Sequence, residues 1–299
     1  WIAMNNKLLI LNLGVDSENT SLAFTQKWIN DISLNYDVVD VLTMKVGSTY
    51  QLNENVNLFF INDQNTNYTK IYQLRKLNKL TRKLIKNNNY THCFAHMAPM
   101  QHLVAKFYLI QKNIKTTLWF THSGPKFGIK WLILWFSSLL ANNIVTASKH
   151  SFPFRFKKVK CIGHGINFDN FFIERKTFQL KNISILSRVS KSKNIENTID
   201  NIIKCKNFEN INIDVIGGTL NIDDESYLNE LLIKYKNFKN INFLGKQPHA
   251  KLPELLKKYD VNINNAQKGF FDKAVLETCA AGIINCLLYT SDAADDSQC

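Results

Sequence analysis

The chain has 299 residues, 45% of them hydrophobic and 20% charged, a balance that excludes a disordered protein and is ample for the cores of two ordinary domains. Its formal charge of +13 favours anionic partners, such as nucleotide phosphates, an acidic membrane surface or nucleic acid, without choosing among them. Cys93, Cys161, Cys205 and Cys279 are scattered without metal-ligand spacing, which fits reduced thiols in a cytoplasm and excludes a disulfide framework.

Short β-rich runs alternate with helical patterns from the start. KLLILNL (7–13) reads as a strand, and its apolar run Leu8 to Leu13 is too short for a signal peptide and lacks a cleavage site. Leu22, Trp28, Ile29 and Ile32 set a helical period over residues 20–33. DVVDVLTM and NLFFI follow as strands. A basic amphipathic helix then spans Tyr68 to Lys86, with Ile71, Leu74, Leu77 and Leu84 on one side and Lys70, Arg75, Lys76, Lys79, Arg82, Lys83 and Lys86 on the others. THCFAH is a strand, a helix starts at Gln101, and KTTLWFTH is the next strand. The most hydrophobic stretch, Trp131 to Val145, falls short of a bilayer span and is interrupted by Ser and Asn; it predicts a buried helix leading into the strand NIVTAS.

A second series begins near residue 182. NISILSR is a strand, a helix follows from Asn194, INIDVIGG is a strand, and a helix opens at Asp223 with acids suited to its dipole. INFLG, a short helix from Lys251, DVNINN and a helix from Lys273 complete it. The Gly163-His164-Gly165 triplet in VKCIGHGINFDNFF (159–172) marks the joint. The expected division is a domain over 4–164, with Met4 as the start, a linker over 165–181 and a second domain over 182–284. Beyond Ile284 the hydrophobic period stops, and CLLYTSDAADD resembles the in-frame translation of a transposon-end sequencing adapter. Residues 285–299 are therefore expected to be a non-native tail and the second domain to be incomplete.

Alternating βα units predict two doubly wound parallel sheets covered by helices. Such sheets bind ligands outside the carboxyl ends of their strands, which places the expected site in a cleft between two facing domains. The unusual residues fall there. After NISIL stands SRVSKSK, where Arg188 at the strand end and Lys193 at the next helix start suit one anion, with Lys191 nearby; a diphosphate fits charge-assisted donors beside helix amides. In GFFDKAVLETCAAG (269–282), Asp272 and Lys273 stand at the entrance of an apolar helix that carries Glu277, a carboxylate able to accept two sugar hydroxyls.

Taken in order, ILSRVSKSKNIENTIDNI, IDVIGG, INFLGKQPHAKLPELLKKYDVNINN and GFFDKAVLETCAAG resemble the C-terminal half of family 4 glycosyltransferases of the GT-B fold. The resemblance implies glycosyl transfer from a nucleoside-diphosphate sugar with retention of configuration, with no metal and no further cofactor. By it, Arg188 and Lys193 bind the donor diphosphate and stabilise the leaving group, and Glu277 takes the ribose hydroxyls. The first glutamate of the family's donor motif falls at Gly269, beside Asp272 and Lys273, which stand ready to substitute through side chain or backbone. The acceptor is expected on the first domain: His96 in FAHMAPM and His122 in WFTHSG each follow a strand, His122 being the first choice for the catalytic site, and Gly14 lies in the first loop. Ser148 and His164 read as hinge or lining residues.

The basic helix suits anionic headgroups, hence a saccharide or lipid-linked acceptor and a cytoplasmic protein peripheral to the inner face of a membrane. Other readings stay open: a non-catalytic nucleotide-sugar binder or a GT-B epimerase, and a non-specific nucleic-acid binder, for which no recognition fold is visible.

Overall fold

Strand β1 (Lys7–Val15) runs through the middle of the first sheet. Leu9 and Leu11 pack into one core with Leu77, Ile85, Leu109 and Leu134; Leu8 and Ile10 pack into another with Ile29, as the two-residue period of a strand requires. The structure is a computed structural model that describes residues 6–17, 24–49, 52–63, 66, 68–122, 124, 127–148, 151–174, 179–266 and 272–287. The chain forms two compact units, Trp1–Gly163 and His164–Cys299.

In the first unit α1 (Phe24–Ser33), β2 (Val38–Val46), β3 (Val56–Asn62), α2 (Lys70–Asn87), β4 (His92–His96), α3 (Pro99–Gln111), β5 (Lys115–Trp119), α4 (Ile129–Leu140), β6 (Asn143–Thr146) and β7 (Val159–Cys161) follow β1. The seven-stranded sheet has the order β3-β2-β1-β4-β5-β6-β7, parallel throughout. Right-handed crossovers put α1 on one face and α2, α3 and α4 on the other, in agreement with the two cores.

The second unit contains α5 (Phe168–Phe171), β8 (Asn182–Leu186), α6 (Ile195–Ile203), β9 (Asn212–Ile216), α7 (Ile222–Tyr235), β10 (Ile241–Gly245), α8 (Leu252–Leu256), β11 (Val261–Asn264), α9 (Lys273–Ala280) and β12 (Ile284–Leu287). Its five strands are parallel in the order β10-β9-β8-β11-β12. Both units are Rossmann-like, and strand order reverses between β1 and β4 and between β8 and β11, the places where such sheets take ligands.

Several expectations change. Gly14 lies inside β1 rather than in a loop, because pairing with β2 continues through Gly14↔Lys45 and Val15↔Val46. Strand β7 escaped the pattern: its three residues form a sheet edge with Lys160 exposed, and a charged edge of this kind discourages further pairing. The segment expected as a linker holds α5, whose Phe171 is buried among Leu186, Ile216 and Leu256; truncating such a ring costs about 3–5 kcal/mol. Residues Asn285 to Leu287, expected in the tail, pair with Asn262 to Asn264 in β12, and residues 288–299 lie outside the described set. Helix α2 buries Leu77, Thr81, Leu84 and Ile85, whereas Ile71 and Leu74 are exposed.

Helix α4 was expected to be buried; it buries Leu134 together with Ser137 and Ser138 and leaves Leu132, Phe136, Leu139 and Leu140 exposed. Ser137 Oγ lies 2.8 Å from His102 Nδ1, and His102 Nε2 lies 3.1 Å from Thr116 Oγ1. Lys106 Nζ donates to Thr116 Oγ1 and to Asn142 Oδ1, at 3.3 and 3.0 Å. The network joins α3, α4 and β5 inside the core. Burial, assisted by Lys106 and Lys158, lowers the His102 pKa to about 3. The folded state therefore resists protonation that the unfolded chain accepts below about 6.5. Stability from this group is fully present above the unfolded value and is lost as pH falls from there toward 3, at up to about 1.4 kcal/mol per pH unit. Urea melts from pH 7.5 to 4.5 are expected to show this decline in the first unit, with a shallower slope for His102→Asn; equal slopes would show that the ring does not stay neutral.

Candidate functional site

The carboxyl ends of β8 and β11 carry the charged residues singled out in the sequence. Ser187 N donates to Ile216 O, and Val189 N donates to Gly218 O, so the turn after β8 is held against the end of β9. Gly217 makes this approach possible: a Cβ there would lie 1.9 Å from Ser187 O. Arg188 leaves this turn and its Nε reaches 3.8 Å from Asp224 Oδ2. Asp224 stands in the first turn of α7, its amide capped by Asn221 Oδ1 while its Oδ2 accepts from Leu220 N.

Lys193 does not open α6 directly. It ends a short 3-10 turn (Lys191–Lys193), and Asn194 in the left-handed conformation leads into the helix. Lys193 Nζ lies 2.5 Å from Asp272 Oδ2, which also accepts from Asn264 Nδ2 at 2.8 Å. Asn194 Nδ2 donates to Asn265 O. The start of α6, the end of β11 and the start of α9 thus meet at the strand-order reversal of the second sheet. Asp272 is the residue that joins them, N-terminal to α9.

Glu277 follows on α9. Its side chain is 6% exposed, and Oε1 accepts from His249 Nε2 at 2.9 Å, with Lys273 Nζ at 3.9 Å. His249 comes from the 3-10 turn (His249–Lys251) after β10, its ring edge-on to Phe171. With 60% of its side chain exposed, His249 covers a carboxylate that is itself nearly dry. Arg188 pairs on the α7 side, Lys193 with Asp272, and Lys273 and His249 with Glu277. Gly269 lies outside the described residues.

Sequence reasoning missed His249, Asp224 and Asn264. His249 carried a signal, since a histidine in a Gln-Pro-His turn follows β10 as Arg188 follows β8; the asparagine and aspartate looked like ordinary strand and helix-start residues.

In the first unit His96 ends β4 within an aromatic group, 4.9 Å from the Trp28 ring and 6.4 Å from that of Trp119, to which it is nearly parallel. His122 is exposed beyond β5, edge-on to Phe120. Both stand at carboxyl ends of strands, whereas Gly14 pairs within the sheet. Ser148 is buried and hydrogen-bonds to Ser151, a local turn contact.

Two Rossmann-like units with parallel sheets of this order correspond to the GT-B fold. Residues 169–287, which lie within the second unit, match the family model of glycosyl transferases group 1. HepE from Anabaena, solved with UDP and glucose, is similar over 97% of this chain and 82% of its own, with 15% identity and a TM-score of 0.70. Sucrose-phosphate synthase from Thermosynechococcus elongatus is similar over 94% and 81%, with 12% identity and a TM-score of 0.72. UDP-GlcNAc 2-epimerase from Methanocaldococcus jannaschii is similar over 98% and 86%, with 11% identity and a TM-score of 0.57. No curated protein sequence matches the chain.

The Lys193–Asp272 contact is mostly buried and is expected to couple the two residues by about 1–3 kcal/mol. A double-mutant cycle of Lys193→Met and Asp272→Asn, read by urea unfolding of the second unit, measures it; a coupling under about 0.5 kcal/mol would show that the pair does not form.

Proposed function

We propose that the chain transfers a sugar from a nucleoside-diphosphate donor to a saccharide or lipid-linked acceptor, with retention of configuration, as a family 4 type enzyme. The observation that carries this reading is the cation set at the carboxyl ends of β8 and β11, inside the segment that matches group 1 glycosyltransferases. An ammonium carries three N–H donors and a guanidinium five. Lys193 and Arg188 can therefore hold their carboxylates and phosphoryl oxygens together, and stabilise the charge that grows on the departing diphosphate without a divalent ion. Asp272 holds the Lys193 ammonium in place. Glu277 accepts the ribose hydroxyls, and because His249 covers its Oε1, the donor must share or displace that ring.

The first unit is assigned to the acceptor, with His96 and His122 at its strand ends and His122 the first choice for a catalytic residue. Its basic helix α2 meets an anionic membrane at the cytoplasmic face, where a lipid-linked acceptor would reside. UDP and UDP-glucose, bound by HepE, are the first donors to try.

With a panel of sugar nucleotides and saccharide acceptors, free nucleoside diphosphate is expected only when acceptor is present. Lys193→Ala is expected to lower kcat/KM about 10²–10³-fold, and Glu277→Ala to raise the donor KM about 10–100-fold. The similarity to a 2-epimerase over nearly the whole chain supports a second reading, an epimerase. A new product formed from sugar nucleotide alone would establish it in place of the transferase.

A further inference from the structure

Helix α4 is built with its serines inward. Ser137 and Ser138 are fully buried, held by His102 and by Leu134 O. Ile129, Leu132, Phe136 and Leu139 are exposed, Ile129 by 75%, and their spacing places them on one stripe of the helix. Phe127 precedes them, also exposed. A soluble helix normally shows the reverse arrangement. Trp131 and Trp135 are half-buried and stacked against each other. Helix α3, packed between α2 and α4, adds Phe107 and Ile110, both exposed.

The charge around this surface has one sign. Between Asp63 and Asp169 the sequence contains no aspartate or glutamate, and this run includes α2, α3 and α4 entirely. Arg75, Lys79, Arg82, Lys83 and Lys86 are exposed on α2. A second copy of the chain would bring one acid-free cationic face against another, which like charges oppose. A nucleic acid would satisfy the cations and leave the aliphatic stripe in water. An anionic bilayer satisfies both: headgroups take the cations, and the acyl boundary takes the apolar stripe, with tryptophan suited to the level between. With 12 residues, α4 is too short to span the roughly 20-residue hydrocarbon core, so a bilayer could take it only in the interface plane.

We propose that the α3–α4 face of the first unit is a docking surface for an anionic lipid bilayer, with Ile129, Leu132, Phe136 and Leu139 inserted and the α2 cations over the headgroups. It deepens the membrane contact in the proposed function, on which it rests, and moves the inserted element from α2 to α4.

The test is flotation of the full chain with phosphatidylcholine vesicles, with and without 30% phosphatidylglycerol, in the absence of donor and acceptor. The wild type is expected to float with the anionic vesicles at least tenfold better than with the neutral ones. Leu132→Ser/Phe136→Ser, outward substitutions checked by thermal melting, is expected to lose at least tenfold in partitioning. Arg75→Gln/Lys79→Gln/Arg82→Gln is expected to lose the preference for anionic lipid, and brominated lipid to quench tryptophan fluorescence in the wild type alone. Equal recovery of the wild type in the soluble fraction with both vesicles overturns the proposal. So does a wild-type dimer in light scattering that Leu132→Ser/Phe136→Ser dissociates, which assigns the face to a second copy. Donor turnover with a soluble acceptor is read separately, so loss of vesicle binding with turnover intact removes the membrane surface and leaves the transferase standing.

Discussion

A carboxylate shared between an ammonium and an amide holds the strand ends of the second unit together. Asp272 accepts from Lys193 and from Asn264, and in doing so connects the segment after β8, the end of β11 and the first residues of α9. Parallel strand pairing aligns the strand ends but leaves the segments beyond them without ladder partners. The ion pair supplies that constraint, and its small exposure keeps it from being screened as a surface pair would be. Glu277 then stands one helical turn and a half beyond Asp272 on a rigid element, so its position follows from the same anchor.

The turn carrying Arg188 depends on a different constraint, the absence of a side chain. Gly217 lets the backbone after β9 pass against Ser187 O, and the bonds from Ser187 N to Ile216 O and from Val189 N to Gly218 O close the turn. Arg188 is thereby aimed at the start of α7, where Asp224 receives it. A glycine pair and an aspartate in the first turn of α7 act as one piece with a cation-bearing turn that lies well before them in sequence.

The first unit separates stability from surface character in an unusual way. His102, Thr116 and Lys106 form a buried polar chain that ends on the exposed Asn142, and Ser137 joins it from α4. Since α4 is fixed to the core by hydrogen bonds as well as by Leu134, its exposed apolar residues, Ile129, Leu132, Phe136 and Leu139, are not needed inside. Their outward placement is a property of this packing, invisible in a count of hydrophobic residues.

The alternation of β-rich runs and helical periods was enough to place both sheets, because buried parallel strands and amphipathic helices write different periods into the chain. Strand β7, α5 and β12 were not legible: each is short, and β7 shows a charged edge rather than an apolar period. Among site residues, Arg188, Lys193, Asp272, Lys273 and Glu277 stood out by position after strands and by charge. The sequence by itself determined two α/β units, their strand ends and the residue types gathered there. Only the tertiary structure decided which charges meet: that Lys193 takes Asp272, that Arg188 takes Asp224, and that His249 covers Glu277. It likewise decided that α4 turns its serines inward. Periodicity is a local property of backbone geometry, whereas the partner of a long cation or the covered side of an apolar helix depends on neighbours brought in by distant segments.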